Sequence, residues 1–168
     1  MIEIKFKIFN SYIEDDDDDL KGEYGYFQLC VDDKTYGEYR DDIELDILSM
    51  NIYDWFSNFV QAFILLKSNS IVYISDVETS EVWIKMVTDE ENIQISEVYA
   101  DKPEGSYSVE TDINLDEKNK IWEKTVKVQD FQKELVLKGK QYLSELKKLN
   151  SRTNEYIQKL ETQLKEIK

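Results

Sequence analysis

Five consecutive aspartates, Asp15, Asp16, Asp17, Asp18 and Asp19, come nearest to a chemical site by type and spacing. Hard cations such as Ca²⁺ take carboxylate oxygens from alternating positions of a loop. A calcium loop begun at Asp15 puts Leu20 where a glycine must turn the chain and Tyr26 where a bidentate Glu must close the site. Begun at Asp17, it places Gly22 well but offers Lys21 as a ligand and Gln28 as the closing residue. Both registers fail, so no metal or cofactor is assigned. Adjacent carboxylates without a counter-ion repel one another and favour a solvated loop. The functional alternative is electrostatic contact with a basic partner.

Other chemistry finds even less support. The chain has no histidine, which removes every Ser-His or Cys-His nucleophile and the commonest proton shuttle near neutral pH. Cys30 is the only cysteine, so an intramolecular disulfide or a cysteine-built zinc site is excluded. Lying between Leu29 and Val31 in a strand pattern, it reads as a packed thiol. The glycines are isolated, and neither a P-loop nor a dinucleotide-binding loop can be written. Among 36 acids some carboxylate pair is inevitable, and none carries a glycosidase signature on its own. No catalytic residue is assigned, and the chain reads as a binding protein.

Charge says what kind of binding. Residues 1–117 carry a net −21 and residues 118–168 a net +6, within a total of −15. An anionic body attracts cationic partners and repels nucleic acid and acidic membranes, so direct nucleic-acid binding is not expected. No segment approaches the ~18 apolar residues that a membrane span requires, and the start carries aspartates where a signal peptide would be apolar. A cytoplasmic protein is expected.

The elements that must position these charges follow from periodicity. Residues 2–9 alternate Ile2, Ile4, Phe6 and Ile8 with Glu3, Lys5 and Lys7, the pattern of a half-buried strand. Strands are predicted at 24–31 and 35–39 around Asp32-Asp33-Lys34, and at 43–47, where Ile43, Leu45 and Ile47 alternate with acids. Ile52, Trp55, Phe56, Phe59, Val60 and Phe63 then fall at helical spacing, capped by Asn51 or Ser49. Further strands are predicted at 71–75, 82–87 and 92–99, with weaker ones at 107–113 and 120–128. From Asp130 the chain reads as helix to near its end, weakest at Gly139 and with a break at Asn150-Ser151. The expected fold is α+β, with antiparallel sheet packed on a central helix of residues 52–67 and closed by a long C-terminal helix or helix pair. Residues 1–149 form the domain and residues 150–168 a helical extension. Residues 135–167 keep an imperfect heptad seam that suits docking on the domain, self-association or a partner.

On this frame the candidate partner-binding residues are Tyr36, Tyr39, Asp41, Asp42, Glu44 and Asp46, together with Asp15 to Asp19. Acids steer a cationic ligand while aromatics supply contact area. The bland alternative is the wet face of an antiparallel strand with both tyrosines half buried. Trp55, Trp83 and Trp122 lie inside apolar patterns and read as core.

The order of acidic meander, Asp54-Trp55-Phe56 opening an aromatic helix, Val82-Trp83-Ile84-Lys85, and Val128-Gln129-Asp130-Phe131 with Leu135 before the last helix resembles small cytoplasmic immunity proteins of bacterial polymorphic and contact-dependent toxins. The likeness covers roughly residues 1–149. It implies an inhibitor that binds one basic toxin domain, often a nuclease, and occludes its active site without catalytic residues of its own. Two alternatives stand beside it. One is a phage-type anti-defence protein that mimics nucleic acid. The other is an adaptor assembling through its C-terminal helix.

Overall fold

The alternation of residues 2–8 builds the edge of the first sheet. The computed structural model describes residues 1–13 and 19–167. In it β1 (Ile2–Ile8), β2 (Tyr24–Val31) and β3 (Lys34–Glu38) are antiparallel neighbours in that order. Register sets Ile4 opposite Leu29, and Leu29 opposite Tyr36. Side chains alternate across a strand, so Ile4, Phe27, Leu29, Val31 and Tyr36 share the buried face. Glu3, Lys5, Lys7, Tyr26 and Gln28 belong to the other. A two-residue β4 (Met50–Asn51) pairs with the start of β2, beside β3.

Residues 43–47 do not form the strand that their alternation predicts. The chain from 39 to 49 is an irregular strap with a single 3-10 turn at Asp46–Leu48. Both sides of β2 are taken, by β1 on one and by β3 and β4 on the other, and among the described residues the strap pairs with no strand of the sheet. The strap instead takes its hydrogen bonds from a side chain. The Tyr26 hydroxyl donates to the Ile43 carbonyl at 2.9 Å and accepts from the Leu45 N–H at 2.9 Å.

Helix α1 (Ile52–Leu65) follows β4 at once. Asn51 caps it by accepting the Asp54 N–H at 2.9 Å, which satisfies one of the free donors of the first turn. Its aromatic face is deeply buried. The Trp55 ring stacks on Phe27 at 5.7 Å, and Phe56 meets Phe27 edge-on at 5.4 Å. Each such side chain contributes roughly 1.5–3 kcal/mol by leaving water.

A second antiparallel sheet also packs against α1. It comprises β5 (Ile71–Ser75), β6 (Val82–Thr88), β7 (Asn92–Tyr99), β8 (Val109–Glu110) and β9 (Asn119–Lys127), ordered β8-β5-β6-β7-β9. Of the strand expected at 107–113 only β8 forms, paired with β5. Ile74, Ile84, Met86, Ile93 and Ile95 join the α1 core, while Tyr73, Trp83, Val98 and Ala100 make a small cluster on the outer face. The fold is thus α+β.

The C-terminal stretch closes the core as a helix pair, α2 (Val128–Leu149) and α3 (Glu155–Glu166). Residues 150–168, set apart in the sequence as an extension, bring Ile157, Leu160, Leu164 and Ile167 into the same core as Phe131, Leu135, Tyr142 and Leu146. The Tyr53 hydroxyl donates to the Tyr156 carbonyl at 2.9 Å, and the Gln132 amide to the Ile167 carbonyl at 2.5 Å. Gly139 lets the two helices touch: a Cβ there would lie 2.7 Å from Leu164 Cδ2. No described helix is long and apolar enough to cross a membrane.

Candidate functional site

Five of the eleven proposed contact residues, Tyr39, Asp41, Asp42, Glu44 and Asp46, lie on the strap. Asp41, Asp42 and Asp46 are exposed, and Glu44 is half-buried. Among the described residues four hydrogen bonds hold this segment over the outer face of the first sheet. Two come from Tyr26, one is donated by Lys7 Nζ to the Asp41 carbonyl at 3.0 Å, and one by the Asn10 N–H to Glu44 Oε1 at 3.2 Å. Tyr26 is itself fixed by Phe9, which meets its ring edge-on at 4.6 Å. The carboxylates are therefore displayed from an ordered segment.

Among the described residues no ion pair reaches Asp41, Asp42, Glu44 or Asp46. Lys7 meets only a backbone carbonyl of the strap, and Lys5 lies 5.9 Å from the Tyr39 ring centroid. Tyr39 is half-buried, and a hydrogen bond to the Asp41 carboxylate raises its phenol above the ordinary tyrosine value. Tyr39 and Asp41 flank an open cleft of about 390 Å³ whose other walls include Glu3, Lys5 and Lys138.

Tyr36 lies elsewhere. It is 8% exposed on the core face, its ring edge-on to Trp55 at 5.2 Å and its hydroxyl donating to the Asp76 carboxylate. Burial first, and then that hydrogen bond, push its ionisation far up. It braces the two sheets and offers a partner no surface. Asp15, Asp16, Asp17 and Asp18 lie outside the described residues. Asp19 is exposed, and its carbonyl accepts the Asn154 side-chain amide at 2.8 Å, beside the turn between α2 and α3.

Sequence reasoning missed two features of the site. Tyr26 carries the strap although its place in a strand pattern signals only a sheet residue. Ile43 and Ile47, read as the buried side of a strand, are 45% and 91% exposed. No linear signal marks the second fact: the alternation of these residues is that of a strand, and among the described residues the strap pairs with none.

Other chemistry-bearing groups are already engaged. Burial pushes the Cys30 thiol up, away from reactive thiolate. Glu97 and Glu78 stand near Asp76, and burial raises both carboxyls, Glu97 still accepting the Trp122 indole N–H at 2.8 Å. Lys147 of α2 pairs with Glu161 of α3, and Lys148 pairs with Glu145 within α2, each at 2.8 Å. Among the described residues no group of three or more His, Cys, Asp or Glu is placed to hold a metal ion.

No protein-family model matches the chain, and neither a curated protein nor a solved structure shows significant similarity to it.

Proposed function

We propose that this chain is an acidic protein-binding inhibitor of the immunity type, which binds a basic toxin domain such as a nuclease and occludes its active site. The observation that carries this reading is the strap: Asp41, Asp42, Glu44 and Asp46 are fastened by hydrogen bonds over the first sheet, with no ion pair among the described residues. Like charges gathered on an ordered frame repel one another, and a cationic surface relieves that repulsion on arrival. Long-range attraction then sets the association rate, and contact burial sets the dwell time. The resemblance in layout to cytoplasmic immunity proteins supports the same reading. So does the absence of histidine, which takes general acid–base chemistry near pH 7 from its commonest agent. The adaptor alternative loses ground because the apolar seam of residues 135–167 is spent within the chain's own core.

The test has two stages. Tagged protein is captured from its native cells at low and then high salt, and the retained proteins are identified by mass spectrometry. Association with the identified partner is then timed for the wild type and for the Asp41→Asn, Asp42→Asn, Glu44→Gln, Asp46→Asn variant. The variant is expected to associate about tenfold more slowly at low salt, with a flatter salt dependence. An unchanged association rate would remove the strap from the interface.

A further inference from the structure

Ile47 is 91% exposed and Ile43 45% exposed on the same strap that displays Asp41, Asp42 and Asp46. Single exposed apolar residues are ordinary on protein surfaces, and Val77, Tyr107 and Leu137 stand in that way on separate elements. The strap differs in three respects. Its two isoleucines have acids as chain neighbours, Asp42 and Glu44 beside Ile43 and Asp46 beside Ile47. The segment is held in place: the Tyr26 hydroxyl grips the backbone of Ile43 and Leu45, and the Ser49 N–H and hydroxyl both return to the Asp46 carbonyl, at 3.0 and 2.8 Å. And the run has the alternation that would bury Ile43, Leu45 and Ile47 in a sheet, yet among the described residues it joins no strand and leaves two of the three exposed.

We infer that Ile47, with Ile43, is the apolar anchor of the strap: it enters an apolar socket on a cationic partner, while Asp41, Asp42 and Asp46 pair with lysines or arginines at the rim of that socket. This rests on the proposed binding of a basic partner and specifies its surface. Charge complementarity selects the occupant. The strap acids have no ion pair among the described residues, so a socket rimmed by acids would be repelled and one with a neutral rim would leave carboxylates to be desolvated without compensation. A central apolar contact ringed by polar groups that exclude water is the arrangement in which few residues supply most of the binding energy. The strap's hydrogen bonds lower the entropy lost on docking.

Two synthetic peptides of equal length and charge serve as probes, one alternating arginine with leucine and one alternating arginine with serine. Affinity is measured by titration against the full chain, with the isoleucine methyl resonances followed by NMR. The arginine–leucine peptide is expected to bind at least about tenfold more tightly, the value of burying one aliphatic side chain, and to shift the Ile43 and Ile47 methyl signals. In Ile47→Ser that advantage disappears, while affinity for the arginine–serine peptide is unchanged. Equal affinity for the two peptides, or an advantage that survives Ile47→Ser, overturns the anchor and leaves charge-driven binding standing. Failure of both peptides to bind the wild type, or undiminished binding to Asp41→Asn, Asp42→Asn, Asp46→Asn, overturns the basic-partner reading and the anchor with it. Ile47 is exposed, so its serine variant should keep the wild-type melting temperature, a control for folding.

Discussion

The Tyr36 hydroxyl donates to the buried carboxylate of Asp76 and so joins the two sheets across 40 residues of chain. Tyr36 belongs to β3, and Asp76 directly follows β5. The carboxylate also accepts the Glu78 N–H at 3.0 Å, and the Asp76 carbonyl takes the Lys102 ammonium. A junction of this kind is fixed by partners that must all be present, since a buried polar group left unpaired is costly.

Tyr36→Phe should therefore destabilise the protein by about 1–2 kcal/mol, the cost of removing one donor from a buried acceptor. Urea unfolding measures it. Alkaline pH offers a second readout with a definite sign. The folded phenol ionises well above the ordinary tyrosine value of 10.0, because of burial and the neighbouring Asp76 carboxylate. Tyr36 thus contributes stability that is complete below pH 10 and lost as pH rises beyond it. The wild type should lose stability more steeply above that pH than Tyr36→Phe does, and identical alkaline slopes would contradict the burial of this phenol.

Glu97 presents the opposite case of a charge held at a cost. Burial raises its carboxyl above the ordinary value of 4.5, and the Trp122 N–H offsets only part of that. The folded state therefore holds this proton more tightly than the unfolded chain. The linked stability is present in acid and declines as pH rises through the folded value. Glu97→Gln keeps an acceptor for Trp122 and removes the charge. It should stabilise the protein at pH 7 by less than about 1 kcal/mol once solvent screening is allowed for, seen as a raised melting temperature, and give no gain at pH 4. An equal gain at both values would trace the effect to something other than ionisation.

These residues also mark where the chain could be read and where it could not. Strands with one wet face write themselves in alternation, and β1, β2 and β7 lie where residues 2–9, 24–31 and 92–99 placed them. The aromatic spacing of α1 and its Asn51 cap are equally local signals. Ile43 to Ile47 carried the same alternation as β1, but a strand also needs a partner strand, and this segment is tied instead to the Tyr26 hydroxyl across the outer face of the first sheet. Tyr36 and Tyr39 lie three residues apart in similar acidic company, yet one ends in the core and the other beside the strap. The difference is the packing of the second sheet against the first, a contact between segments distant in sequence. Gly139 read as a weak point of a helix, and its reason is Leu164, 25 residues later.

Gly139→Val tests that reason. Glycine costs a helix about 1 kcal/mol against alanine, and here the cost is offset by the close approach of α3. A side chain at 139 would meet Leu164, whose neighbours Ile157 and Leu160 are also buried. The expected result is a loss of about 2 kcal/mol from overpacking, with α3 losing amide protection ahead of the sheets. A variant that is as stable as the wild type and fully protected in α3 would show that the helices can separate without cost.

Tyr26→Phe separates the presentation of the strap from its composition. The substitution keeps the ring against Phe9 and removes only the hydroxyl that serves the Ile43 carbonyl and the Leu45 N–H. Water can satisfy both backbone groups once the strap lifts, so the global cost should stay near 1 kcal/mol. The local effect should be larger: the Leu45 amide is expected to exchange at least tenfold faster with deuterium, while the core amides of β2 and α1 keep their protection. Every carboxylate and both isoleucines remain in place in this variant. Any accompanying loss of affinity for a cationic partner would then measure the value of holding them still, which should appear as faster dissociation with little change in the salt dependence of association. If Leu45 stays protected, the strap is held by something other than this hydroxyl, and the Asn10 and Lys7 contacts become the ones to remove next.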